Sequence, residues 1–245
     1  MKENQKRLAV LIDADNTQAG LIEAILTEVA NHGIAHVKRI YGDWTSTHMK
    51  TWKEHMHSNS LQPMQQFAYT IGKNATDSAL IIDAMDLLYA DNLDGFCIVS
   101  SDSDFTRLSS RLRESGKIVF GFGRKQTPES FTSACDRFFY TENLHGAGDE
   151  PQIAAKKITP MKLKQDTRLI NSIRKAIDDS NDDDGWSNLG TVGQIVMNAW
   201  PQFDARNYGY NKLGELVRAI GLFTVDHRRN EQGSGLYICN RKRRS

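Results

Sequence analysis

Three small groups of aspartates stand where apolar runs end or amphipathic runs begin. Asp13 and Asp15 follow Leu8–Ile12, and Asp77 opens the run that continues to Tyr89. Asp102 and Asp104 follow Phe96–Val99 within Ser100-Ser101-Asp102-Ser103-Asp104. Carboxylates gathered in one place repel each other and raise each other's pKa values. A divalent cation relieves that repulsion, and the hard ions Mg²⁺ and Mn²⁺ take oxygen ligands. The 7 histidines and 3 cysteines show no competing metal spacing. An ion held by carboxylates can polarise a phosphodiester, generate hydroxide from water and steady the leaving oxygen. Hydrolysis of a nucleic-acid backbone is the reaction class these residues predict.

Each aspartate also has a plainer role open to it. Asp77 can favour a helix N-terminus, Asp104 can cap a helix, and Asp13 or Asp15 can serve a turn. Their meeting at one rim is what argues for a metal site. Asn16 offers a neutral oxygen to metal or substrate, and Ser101 is placed to orient Asp102. Lys73-Asn74 either meets a phosphate or forms a solvated loop. Gly121-Phe122-Gly123-Arg124-Lys125 is either a phosphate-binding turn or ordinary turn chemistry, since one GxG carries little information.

Such a rim needs elements to build it. Strand-like runs over Leu8–Asp13, Val37–Gly42, Leu61–Ala68, Phe96–Val99, Ile118–Phe122 and Phe138–Tyr140 alternate with helical ones. The helical runs are Gln18–His32, Met49–His57, Asp77–Tyr89, Phe105–Glu114 and Glu129–Ala134, set by apolar residues at helical spacing. Alternation of this kind predicts an α/β domain, a parallel sheet with helices on both faces. Ligands of open parallel sheets bind beyond the carboxyl ends of the strands, near the switch in strand order. If the first and fourth strands are neighbours, Asp13 and Asp102 face one another there.

From His145 the pattern changes. Residues 146–164 carry Gly148, Pro151 and Pro160 without a sustained period and read as a linker. Beyond it, Thr167–Ile177, a helix capped by Ser187 and running to Trp200, and Leu213–Ile220 make three helices. Two short strands follow, Leu222–Asp226 and Gly235–Cys239, which is the layout of a small winged-helix α+β domain. The expected division is 1–145, a linker over 146–164, 165–240, and a basic tail over 241–245.

Charge divides at the same place. Residues 1–150 carry 15 Lys and Arg against 20 Asp and Glu, a net of −5; residues 151–245 carry 16 against 10, a net of +6. The basic half is suited to a polyanion. Arg206, Lys212, Arg218, Arg228 and Arg229 are its candidate phosphate contacts, and Tyr208 a candidate platform for an unpaired base; Tyr210 reads as packing. Hydrophobic residues at 39% and charged residues at 25% describe a globular chain. Neither a transmembrane run nor an apolar leader is visible, so a soluble, reduced, cytoplasmic protein with no membrane partner is expected.

The opening Leu8–Asn16, the Lys73–Asp86 segment with Asp77, and Ile98–Phe105 together resemble the NYN domain family, a branch of the PIN-like nucleases. The resemblance implies a PIN-like parallel sheet and an endoribonuclease site that uses Mg²⁺ or Mn²⁺. Asp13, Asp77, Asp102 and Asp104 would form its acidic set, supported by Asp15, Asn16, Ser101 and Lys73. Gly185-Trp186, Leu189-Gly190 and Phe203–Tyr210 resemble a LOTUS (OST-HTH) domain, which implies RNA, single-stranded or structured, as the partner. Two other functions stand beside the ribonuclease. Asp13-Ala14-Asp15-Asn16-Thr17 fits the DxDxT opening of HAD-like phosphatases with Asp13 as nucleophile, and a non-catalytic RNA-binding adaptor would retain the same carboxylates.

Overall fold

The structure is a computed structural model that describes residues 5–45, 49–65, 75–144, 157–230 and 233–241. The described residues fall into two compact units, one up to Leu144 and one from Lys157.

The first unit is a six-stranded parallel sheet. Its strands are β1 (Arg7–Asp13), β2 (Ile34–Gly42), β3 (Gln62–Gln65), β4 (Gly95–Val99), β5 (Ile118–Gly123) and β6 (Arg137–Tyr140). They lie in the order β3-β2-β1-β4-β5-β6. The helices between them are α1 (Ile22–Ala30), α2 (Lys50–Ser58), α3 (Ala75–Tyr89), α4 (Thr106–Glu114) and α5 (Glu129–Ala134). Strand side chains alternate between faces, and the cores follow that period. Leu8, Val10, Ile12, Cys97, Val99 and Phe122 pack with Ile22, Ile25 and Val29 of α1 and Trp52 of α2. Ala9, Leu11, Phe96, Ile98 and Val119 pack with Leu80 and Ala84 of α3, Leu108 and Leu112 of α4, and Phe131 of α5. Burial on both faces explains why these strands are almost uninterrupted apolar runs. The chain winds outward through β2 and β3, then returns so that β4 pairs with β1 in register Ile12↔Val99. That reversal opens a crevice between the ends of β1 and β4.

The second unit contains α6 (Pro160–Gln165), α7 (Thr167–Asp178), β7 (Ser187–Asn188), α8 (Leu189–Ala199), α9 (Leu213–Ile220), β8 (Phe223–Asn230) and β9 (Gly233–Asn240). Its antiparallel sheet has the order β7-β9-β8. One core holds Leu163, Leu169, Ile173, Val192, Val196, Leu216, Val217, Ile220 and Ile238.

Three local expectations change here. The stretch read as linker contains α6: Thr159 is extended, Pro160 sits at the first helical position where its missing N–H costs nothing, and Leu163 is fully buried. The cap of α8 is Asn188, whose Oδ1 accepts from the backbone N–H of Gly190 and Thr191. Ser187 instead pairs with Ile238 of β9 and donates its hydroxyl to Ile177 O. The closing hairpin is also longer than the apolar residues alone indicate. Its polar positions stay paired out to Asn230↔Gly233. Of the strand expected over Leu61–Ala68, residues 66–68 lie outside the described residues.

Candidate metal centre and nucleic-acid interface

Asp13 ends β1 on the same side as Ala9 and Leu11, the face covered by α3 and α4. It is fully buried. Its Oδ1 accepts from the backbone N–H of Asp15 at 3.1 Å and of Asn16 at 3.2 Å. Its Oδ2 accepts from Asn16 Nδ2 at 2.8 Å and Ser100 Oγ at 2.7 Å. Burial pushes this carboxyl above its ordinary value, against the lowering effect of the hydrogen bonds from Ser100 and Asn16. With both oxygens engaged and no exposed surface, Asp13 is closed to the nucleophilic role of the phosphatase reading.

Ser100 continues β4 past the Ile12↔Val99 pair and therefore stands opposite Asp13. Its hydroxyl donates a hydrogen bond to Asp13 and accepts the backbone N–H of Asp102 at 3.0 Å. Asp102 then caps the following turn, its Oδ1 accepting Asp104 N–H at 2.9 Å. A chain of hydrogen bonds thus runs from the end of β1 to the Asp102–Asp104 loop. The orienting serine is Ser100, where the sequence pointed to Ser101; the Ser101 hydroxyl accepts from Arg124 N–H at 2.9 Å and secures the loop after β5. Aligning the ends of the two apolar runs, Ile12 with Val99, would have revealed Ser100.

Asp77 enters from the first turn of α3. That helix is fixed to the sheet by Asp83, which accepts from Arg39 and Tyr41 of β2, and by buried Leu80 and Ala84. Asp77, Asp102 and Asp104 each offer a carboxylate oxygen, and these atoms lie within 4.8 Å of one another. Burial first, then the charges of Asp13, Asp102, Asp104 and Asp15, push Asp77 up to about 6. Three hard oxygen donors under mutual repulsion match what Mg²⁺ or Mn²⁺ requires. The expected acidic set is therefore divided. Asp77, Asp102 and Asp104 converge, while Asp13 stands outside that trio as the anchor of its loops, coupled to Asp77 through charge. Asp15 is exposed beside it, and Asn16 donates its Nδ2 to Asp13, a bond that does not use its Oδ1. Lys73 lies outside the described residues.

Two measurable consequences follow from this geometry. Ser100→Ala is expected to leave a buried carboxylate one donor short and to destabilise the unit by about 1–3 kcal/mol, read as a lower urea midpoint. Asp77 binds its proton more tightly in the folded chain than at the ordinary carboxylate value of 3.8, so the metal-free fold loses stability as pH rises from about 4 to about 6. Asp77→Asn should remove that penalty. In EDTA at pH 7.5 the variant is expected to be more stable than wild type by about 1 kcal/mol, discounted for solvent screening, with the difference vanishing near pH 4.

In the second unit the basic candidates divide as well. Lys212, at the start of α9, and Arg218, on that helix, are exposed, and among the described residues neither has an ion-pair partner. Arg228 on β8 lies over the Trp186 ring, 3.8 Å from its centroid. Arg206 instead grips Asp204, with Nη2 at 2.6 Å, and so closes its own loop. Tyr208 is 8% exposed and shares a hydrogen bond with Asp166, so its ring packs the core instead of offering a platform to an unpaired base. Tyr210 is buried as expected and donates to Ile158 O. The Arg229 side chain lies outside what the structure describes. Among the described residues no helix is long and apolar enough to cross a membrane, and all three cysteines are free thiols.

A parallel sheet with an acidic trio at its β1/β4 switch point and helices on both faces defines a PIN-like domain. The chain belongs to the NYN domain family, whose model matches residues 7–143. Residues 161–234 match the OST-HTH/LOTUS domain. A protein of unknown function from Vibrio parahaemolyticus is similar in structure at 15% identity and a TM-score of 0.49, over 57% of this chain and 96% of that one. A solution structure from Nitrosomonas europaea shares 30% identity over 42% of this chain and 96% of its own, with a TM-score of 0.30. Another from Chromobacterium violaceum shares 31% identity over 30% and 80%, with a TM-score of 0.27. No curated protein matches the chain.

Proposed function

We propose that the protein is a metal-dependent endoribonuclease that holds its RNA through the C-terminal unit. The convergence of Asp77, Asp102 and Asp104 in a domain of a nuclease family carries this reading. These three side chains would hold Mg²⁺ or Mn²⁺. When bound, such an ion supplies Lewis acidity toward a phosphodiester oxygen and lowers the pKa of bound water. Asp13 and Ser100 keep the two loops in register, so the three carboxylates arrive at one point already ordered. Their negative field repels an incoming phosphate, so affinity for the strand has to come from elsewhere. The net charge of +6 over residues 151–245 and the OST-HTH/LOTUS match support that unit as the anchor. Lys212, Arg218, Arg228 and Arg229 are its phosphate contacts. The deciding experiment incubates purified full-length protein with labelled single-stranded RNA in Mg²⁺, in Mn²⁺ and in EDTA. Internal cuts with either ion and none in EDTA are expected. Intact RNA under all three conditions, despite tight binding, would favour the adaptor.

A further inference from the structure

A cavity of ≈ 380 Å³, within the range that holds small ligands, is lined by the loops after β1 and β4, which follow Asp13 and lead into Asp102. It opens at the same sheet edge and shares its walls with the loops already described: Asp15 and Asn16 after β1, and Ser100 and Ser101 after β4. The rest of the lining includes two contrasting parts. Leu21, Val99 and Phe122 form an apolar wall, and Gln18 and Arg124 supply polar ends. Arg124 is the one cation among the lining residues. Its backbone is held by Ser101, yet among the described residues neither its guanidinium nor the Gln18 amide has a hydrogen-bond or ion-pair partner. Glu142, also in the lining, accepts Lys125 N–H at 2.9 and 3.1 Å.

A planar apolar body with a hydrogen-bonding edge and an attached anion fits such a lining, and a nucleotide has all three. We infer that this cavity receives one unstacked nucleotide of the RNA strand, next to the phosphate that is cut. Its base lies on the Leu21–Val99–Phe122 wall, Gln18 reads its edge, and Arg124 takes its phosphate. The inference rests on the ribonuclease reading for its place beside the cut, and on the cavity alone for its nucleotide chemistry. It makes Arg124 and Gln18 substrate-positioning residues and favours RNA whose bases are unpaired, because a stacked base cannot enter.

Two readouts test it on the full chain. The first is saturation-transfer NMR with uridine or adenosine 5′-monophosphate as probe, which needs no turnover. Transfer to base protons is expected on wild type, weakened in Arg124→Ala and Gln18→Ala, and lost in Leu21→Trp. The second is cleavage of a six-nucleotide single-stranded RNA. Losing a charge-assisted phosphate contact in Arg124→Ala should raise KM about tenfold and leave kcat within about twofold. Leu21 packs against the core, so Leu21→Trp is compared only if its melting curve matches wild type; the other two variants alter exposed side chains. No transfer from either nucleotide to wild type, or unchanged transfer in both exposed variants, overturns the nucleotide site. Normal cleavage with an unchanged KM in Arg124→Ala overturns it equally. Absent cleavage with intact, variant-sensitive transfer defeats the ribonuclease reading alone and leaves the nucleotide site standing.

Discussion

Asp102→Asn is expected to lower ion-dependent RNA cleavage by about 10³-fold, some ~4 kcal/mol of lost transition-state stabilisation, with the fold intact. The fold survives because Asn keeps an Oδ1 to accept the Asp104 N–H that Asp102 caps. What disappears is one of three negative charges that converge within 4.8 Å. A second readout separates lost metal from lost chemistry. Mn²⁺ is expected to bind the native site and raise the wild-type melting temperature by mass action, a rise that should shrink sharply in Asp102→Asn. Equal cleavage rates for variant and wild type would refute the assignment of the site. A protein that binds RNA but cuts none with any ion would be the adaptor.

Removal of residues 151–245 is expected to weaken RNA binding by about 100-fold or more. The remaining 1–150 carries a net charge of −5 and gathers carboxylates at its crevice, so it offers phosphates little attraction. The complementary fragment, 151–245, should bind RNA in EDTA. Its affinity should fall with salt at a log–log slope of roughly 0.7 per phosphate neutralised on a single strand. Arg228→Ala with Arg229→Ala should weaken binding and flatten that slope. Circular dichroism shows whether each fragment is folded, and fluorescence anisotropy across a salt series measures the slope. A salt-independent affinity for the intact fragment would rule out an electrostatic anchor.

Much of the first unit was legible because burial on both faces of a sheet writes itself as apolar runs of strand length. Leu8–Ile12 and Phe96–Val99 admit few other readings, and the aspartates after them fall at the crevice once β1 and β4 are neighbours. The site's internal wiring was harder to see. Ser100 and Ser101 are the same residue type, and only the β1–β4 register decides which one faces Asp13. The charge of Asp13 is visible in the sequence, whereas its bond from Ser100 joins residues 87 apart and appears only in the fold; its other three donors come from the neighbouring Asp15 and Asn16. Tyr208 and Arg206 misled for a related reason. An aromatic next to basic residues suits RNA, yet in the fold Tyr208 fills the core and Arg206 closes on Asp204, two residues away. The helix at Pro160–Gln165 escaped because six residues give too short a window for periodicity to register.

The pairing of β1 with β4 also sets an order in time. Asp13 is synthesised early, but its partner Ser100 and the carboxylates Asp102 and Asp104 are made almost ninety residues later, after the whole β2–α3 excursion. A growing chain that has not yet released β4 from the ribosome holds Asp13 and Asp77 without the loop that completes the trio. The strand order therefore leaves the acidic trio unassembled on the growing chain until the returning strand takes its place beside the first.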